Sequence, residues 1–150
     1  MMHYQYRPLQ HTDEIRVVCI EPALFSDEAI NCHIIHCRRS SENLKYEALS
    51  YAWGDVAKVK SIGVGSANFQ VTSNCFDALR RLIYEEDIRL VWIDALCINQ
   101  DDDNERTEQI RVMGEIYSRA RRVVVYLGEA DDASEELFDW IKASKMNFLV

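Results

Sequence analysis

Hydrophobic and polar positions along this chain follow two periods in turn, first the alternation of strands and then the spacing of helices. After an arm that runs to about Asp13 and contains the breaker Pro8, residues 15–20 read as a strand stopped by Pro22. Residues 29–37 read as a second strand, with Ile30, Cys32, Ile34 and His36 on one face. Residues 46–53 form a third that stops at Gly54-Asp55, and residues 61–71 hold two short strands around a turn near Ser66-Ala67-Asn68. Thr72 or Ser73 then caps a helix reaching about Tyr84, with Phe76, Leu79, Leu82 and Ile83 as its apolar stripe. An apolar run at 90–98 predicts a central strand. A helix over 104–120 follows, facing Ile110, Met113, Ile116, Tyr117 and Ala120 inward. A strand at 123–127 and a helix at 134–144, with Leu137, Phe138 and Ile141 inward, complete the pattern. Alternating strands and helices predict an α/β fold with right-handed crossovers and a mainly parallel sheet, the N-terminal strand pair adding antiparallel edges.

A length of 150 residues suits one domain, and 48% hydrophobic with 28% charged residues is an ordinary globular balance. The net charge of −8 is concentrated in runs such as Glu85-Glu86-Asp87 and Asp101-Asp102-Asp103, with no basic stripe against them, which argues against a nucleic-acid partner. Five cysteines, an odd number lying in apolar runs, and the lack of an N-linked glycosylation sequon predict a reducing, cytoplasmic setting. The polar start has no signal-peptide shape, no apolar run approaches a membrane span, and the apolar end Asn147-Phe148-Leu149-Val150 reads as a boundary inside a longer protein.

Three predicted parallel strands end in polar or glycine punctuation, at Trp53-Gly54-Asp55, Asn99-Gln100 and Gly128-Glu129. In a parallel sheet such ends share the edge where ligands bind, although the same residues are also ordinary turn formers. Asp94 stands inside the apolar run and needs a partner there: Arg106, Arg111, a backbone amide or a hydroxyl such as Ser50. A structural hydrogen bond and a ligand-binding role both satisfy that need. Glu105, and equally Glu108, reads from the residues alone as a helix-start acid beside an Asn104 or Asp103 cap, with Arg106 and Gln109 on the exposed side. The Cys32-His33-Ile34-Ile35-His36-Cys37 run is no zinc site on a strand, because its ligands split between two faces. Gly63-Val64-Gly65-Ser66 lacks the third glycine and the helix of a dinucleotide fingerprint, and no Gly-x-Ser-x-Gly elbow occurs.

Three blocks resemble a known family. Residues 46–54 (YEALSYAWG), residues 92–100 (WIDALCINQ) followed by Glu105-Arg106, Gln109, Met113, Ile116-Tyr117 and Ala120, and Val125-Tyr126-Leu127-Gly128 look like the signature blocks of the fungal heterokaryon incompatibility (HET) domain. The resemblance covers roughly residues 15–130. It implies a 14-residue arm before a HET domain at 15–150, and a role in fungal non-self recognition and programmed cell death. Through the family's distant similarity to TIR domains it implies a flavodoxin-like fold and metal-free hydrolysis of the nicotinamide–ribose bond of NAD or NADP upon self-association. The TIR glutamate lies on the helix after the third strand, so the resemblance points to Glu105 as catalytic, with Glu108 as substitute. Ser50, Trp53, Gly54, Asp94, Asn99, Gln100 and Arg106 are then expected to hold the substrate, without metal or other cofactor. The alternative is a non-catalytic TIR-like interaction module that assembles with itself or with other cell-death or recognition proteins.

Overall fold

The computed structural model describes residues 2–128 and the backbone of residues 147–149. One sheet organises them: β1 (Glu14–Ile20), β2 (Asn31–Arg38), β3 (Glu47–Tyr51), β4 (Lys60–Val64), β5 (Ala67–Val71), β6 (Arg89–Trp92), β7 (Arg122–Tyr126) and β8 (Asn147–Leu149). Their order is β5-β4-β2-β1-β6-β3-β7-β8. The pairs β2–β4, β3–β6, β3–β7 and β7–β8 run parallel, whereas β1–β2, β1–β6 and β4–β5 run antiparallel. The sheet is therefore mixed, which corrects the expectation of a mainly parallel one. The N-terminal pair causes this, because β1 sits beside β6 in mid-sheet instead of forming an outer edge.

Between the strands lie α1 (Ser73–Leu82), α2 (Asp94–Cys97), α3 (Asp103–Arg111) and α4 (Met113–Arg119). The Thr72 hydroxyl accepts from the Cys75 amide and so caps α1, which buries Cys75, Ala78, Leu79 and Leu82, while Phe76 and Ile83 are only partly covered. Two predicted boundaries moved. The run at 90–98 is strand only to Trp92; Ile93 is already the N-cap residue of α2, and Asp94 is its first residue. The helix expected over 104–120 breaks at Val112 (φ −99°, ψ 5°) into α3 and α4, and the break shifts the buried face. Gln109 is consequently buried and Ile110 exposed, the reverse of expectation, while Ile116 is in the core as predicted. The helix expected over 134–144 lies outside the described residues.

β1 is buried along nearly its whole length, both faces covered, and includes a fully buried Arg16. The arm before it is fastened down. The Tyr4 amide donates to the Asn68 carbonyl and the Asn68 amide to the Met2 carbonyl, bridging the arm to β5. Tyr4 and Tyr6 pack on Phe69 with ring centroids 6.1 and 6.0 Å away, and the Gln10 and His11 amides both donate to Glu14.

Candidate functional site

Because β3, β6 and β7 are mutually parallel, their C-terminal ends share one edge, and of the residues predicted there Trp53, Asn99 and Gln100 line its pockets, whereas Gly128 lines neither and Glu129 lies outside the described residues. Trp53 and Gly54 follow β3; Gly54 takes φ +63°, and a Cβ there would fall 2.5 Å from Asn74 Nδ2, so glycine lets the loop run close to α1. Asn74 meets the same loop by donating to the Ala52 carbonyl at 2.9 Å. After β6 the chain enters α2 and then turns at Asn99-Gln100. The Gln100 carboxamide donates to the Asp94 carbonyl at 3.0 Å, and Asn99 Oδ1 accepts from the Asp101 amide at 3.2 Å.

A cleft of about 470 Å³ opens here between the arm (His3 to Tyr6), β5 (Asn68 to Gln70), Lys58 and the Ala95/Asn99/Gln100 edge. A smaller pocket of about 70 Å³ adjoins it and shares Lys58, Phe69, Gln70, Ala95 and Gln100; its remaining walls include Tyr51, Trp53 and Thr72. Sequence reasoning missed Lys58, Phe69, Gln70, Tyr51 and the arm as walls of this site. Their positions depend on how the β4–β5 hairpin and the arm fold back, which no local pattern reveals.

Asp94 carries the unusual electrostatics. One carboxylate oxygen accepts from its neighbour's amide, Ala95, at 2.8 Å, and the other accepts from the Trp53 indole N–H at 3.2 Å. Of the partners foreseen for it, the backbone amide is the one used. Arg106 turns instead to the Gln100 carbonyl and to Asp103, and Arg111 to Glu108. Burial pushes the Asp94 carboxyl above its ordinary value, and the hydrogen bonds from Ala95 and Trp53 offset this only in part. No lysine or arginine pairs with it among the described residues. Its surroundings are tyrosines and a thiol: burial holds Tyr51 protonated far above its usual range and pushes Cys75 up to about 12, with the Asp94 charge adding to both. Cys75 is thus a neutral thiol, unsuited to be a nucleophile.

Glu105 is in a different situation. Asp102, not Asn104 or Asp103, caps α3 by accepting from the Glu105 amide at 3.1 Å. The Glu105 side chain points back under the turn, accepts from the Asn99 amide at 2.9 Å, and forms a two-pronged ion pair with buried Arg16. Glu108 lies on the exposed side, paired with Arg111. Ser50 stands on β3 next to the Tyr117 hydroxyl, which itself donates to the Leu49 carbonyl, and is not among the residues lining the two pockets. The structure therefore puts Asn99 and Gln100 in the wall of the cleft and Trp53 and Gln100 in that of the smaller pocket; Asp94 lines neither but is bonded to Trp53, Gly54 lies in the loop beside them, and Ser50 and Arg106 stand to the side. His33 and His36 face opposite ways, toward Glu21 and Glu14, as their alternation on β2 requires.

No helix among the described residues is long and apolar enough to cross a membrane. Comparison with known proteins agrees with the blocks noted in the sequence. Heterokaryon incompatibility protein 6, OR allele, of Neurospora crassa is 36% identical over 149 residues, an alignment that covers 90% of this chain but 22% of that protein. The chain thus spans about a fifth of the length of the curated relative it matches. No solved structure matches it. The profile of the heterokaryon incompatibility protein (HET) family matches residues 46–148, the span that holds β3, β6, α2 and the edge they build, and the chain belongs to that family.

Proposed function

We propose that this chain is the effector part of a fungal heterokaryon incompatibility protein, and that it hydrolyses the nicotinamide–ribose bond of NAD or NADP in the cleft beside Trp53 and Asp94. The observation that carries the reading is the part-buried Asp94 carboxylate, hydrogen-bonded to Trp53 in the wall of the smaller pocket and with no cation paired to it among the described residues. Such a group favours an incoming positive charge. Nicotinamide bound to ribose is cationic, and as its bond to the anomeric carbon breaks, the leaving ring takes the electron pair and becomes neutral. The positive charge passes to the ribose ring, where a carboxylate stabilises it, and water then supplies the new C–O bond and releases a proton. Nothing in this balance requires a metal or a general acid for the leaving group. Trp53, exposed at 39%, offers a ring face for stacking, and Lys58 and the Gln100 edge offer polar contacts for phosphate and ribose.

The TIR-like comparison points to Glu105, but its carboxylate already neutralises Arg16 and holds the Asn99 amide. The geometry favours Asp94 as the reacting carboxylate and Glu105 as its neighbour's support. The parallel part of the sheet, β6-β3-β7-β8, has second-first-third-fourth strand order, the order of flavodoxin-like sheets, which supports a distant TIR-like relationship.

A second reading, a non-catalytic module assembling a death-signalling complex, draws on exposed apolar residues: Leu24 at 63%, Phe25 at 67% and Val56 at 70%. One experiment separates the two. The purified chain is incubated at high concentration with NAD or NADP and nicotinamide is measured, for the wild type, Asp94→Asn and Glu105→Gln. Hydrolysis lost in Asp94→Asn with the fold intact supports the enzyme. Persistent hydrolysis in Asp94→Asn removes Asp94 from the chemistry, and a wild type that releases no nicotinamide at high concentration favours the interaction module.

A further inference from the structure

The N-terminal arm forms one wall of the cleft, and its Tyr6-Arg7 stretch rests on one buried guanidinium. Arg16, 0% exposed in the middle of β1, donates through Nη1 to the Cys97 carbonyl at 3.1 Å and to Glu105, and through Nη2 to the Arg7 carbonyl of the arm at 2.7 Å and to Glu105 at 3.2 Å. Its guanidinium lies 4.8 Å from the centroid of the Tyr6 ring. Tyr6 in turn donates its hydroxyl to the Leu96 carbonyl at 2.7 Å. Leu96 and Cys97 are the last turn of α2, whose carbonyls have no partner inside so short a helix. The arm and Arg16 supply those partners, and Glu105 fixes the next amide, that of Asn99. The site edge at Asn99-Gln100 is thereby held from below by residues of β1 and the arm, outside the 46–148 span of the family match.

We infer that Tyr6 and Arg16 are positioning residues of the site, acting through the Leu96 and Cys97 carbonyls and through Glu105 to set the Asn99-Gln100 edge against the cleft. The inference rests on reading this cleft as the NAD(P) site. It goes beyond that reading by making the arm a working part of the site instead of a tail. A fork-shaped guanidinium suits the task, since one group must reach two carbonyls and a carboxylate at once, which an ammonium cannot do with the same geometry.

The test uses the full chain with Tyr6→Phe, which removes one hydroxyl and keeps the ring, and Arg16→Lys, which keeps the charge and removes the fork. With NAD as probe, Tyr6→Phe should raise KM roughly threefold to tenfold, the worth of one neutral hydrogen bond, with kcat within about twofold. Arg16→Lys should raise KM further. Amide hydrogen exchange should quicken at Asn99 and Gln100 in both variants while the Val17 and Val18 amides of β1 stay protected. A lowered melting temperature with KM and Asn99 exchange unchanged would overturn the inference and leave the two residues as plain stabilisers. If the wild type releases no nicotinamide, the reaction is wrong and exchange alone decides: selective quickening at Asn99-Gln100 upholds the positioning role, and uniform or absent change overturns it.

Discussion

The two ends of the parallel strands treat a buried carboxylate in opposite ways. At the N-terminal end, Glu47 of β3 accepts two hydrogen bonds from Arg89 of β6, at 2.8 and 2.9 Å, and a third from Arg122 of β7. Burial alone would raise its carboxyl, but the two guanidinium groups overcome that and hold it below the ordinary range. Arg89 also lies 4.5 Å from the Tyr84 ring centroid and donates to the Leu82 carbonyl, so the Glu47–Arg89 pair is buried while Arg122 closes it from the partly exposed side. At the C-terminal end Asp94 has an amide and an indole but, among the described residues, no cation, and its carboxyl is raised. One edge closes its carboxylate between two guanidinium groups; the other leaves its carboxylate without a paired cation among the described residues, which is where the proposed site lies.

The largest expected effect is at the closed end. Glu47→Gln leaves Arg89 buried without its counter-charge and should cost about 3–5 kcal/mol in urea unfolding. Glu105→Gln strands Arg16 in the same way and should cost a similar amount. If Glu105→Gln instead melts like the wild type, the Arg16 pair is no structural tie and the contrast drawn here fails.

Asp94→Asn should behave oppositely: little stability change, within about 1 kcal/mol, because the amide keeps an acceptor for Ala95 and removes an uncompensated charge. Nicotinamide release, by contrast, should fall at least about a hundredfold. The pH dependence separates the two carboxylates by sign. The folded-state value of Asp94 is raised, so its contribution is fully present below its unfolded value and is lost as pH rises through the folded one. For Glu47 the value is depressed, so its contribution is present above the unfolded value and disappears as pH falls through the folded one. Urea midpoints measured from about pH 3 to 7 should therefore show a shallower loss toward neutral pH in Asp94→Asn and a shallower loss toward acid in Glu47→Gln than in the wild type.

Trp53→Phe removes the indole N–H that lowers Asp94, so the Asp94 carboxyl should titrate higher still, followed by carboxylate NMR. The smallest effect belongs to Tyr84→Phe, which loses a 3.5 Å contact with Arg122 at an exposed position and should change stability by less than about 0.5 kcal/mol.

Of this contrast only the Asp94 half was legible in the sequence; the Glu47–Arg89–Arg122 cluster was not, because its members come from three separate strands. Alternation located β2 and its inner face, and the Thr72 cap located α1, because both signals are local. The strand end at Trp92 was hidden because β6 is buried and α2 buries Leu96 and Cys97, so the apolar run resumes past Asp94 from one element into the next. The exchange of Gln109 for Ile110 came from the break at Val112, which resets the helical phase in mid-stripe. Asp94 stood out as a charge inside an apolar run, yet Arg16, inside the run 15–20, gives the same signal and passed unremarked. Its partner, Glu105, is 89 residues away, and only the β1–β6 pairing brings the two together. That pairing is set by sheet order, which strand composition does not encode.

The bridge between the arm and β5 has a consequence for how these molecules meet one another. β5 is the outermost strand on its side of the sheet, and an open strand edge invites another chain to add on, copy after copy. Here the Asn68 amide and carbonyl are already taken by Met2 and Tyr4 of the same chain. A neighbour seeking to extend the sheet across that point must first peel the arm away, so the molecule carries its own guard against runaway edge-to-edge polymerisation.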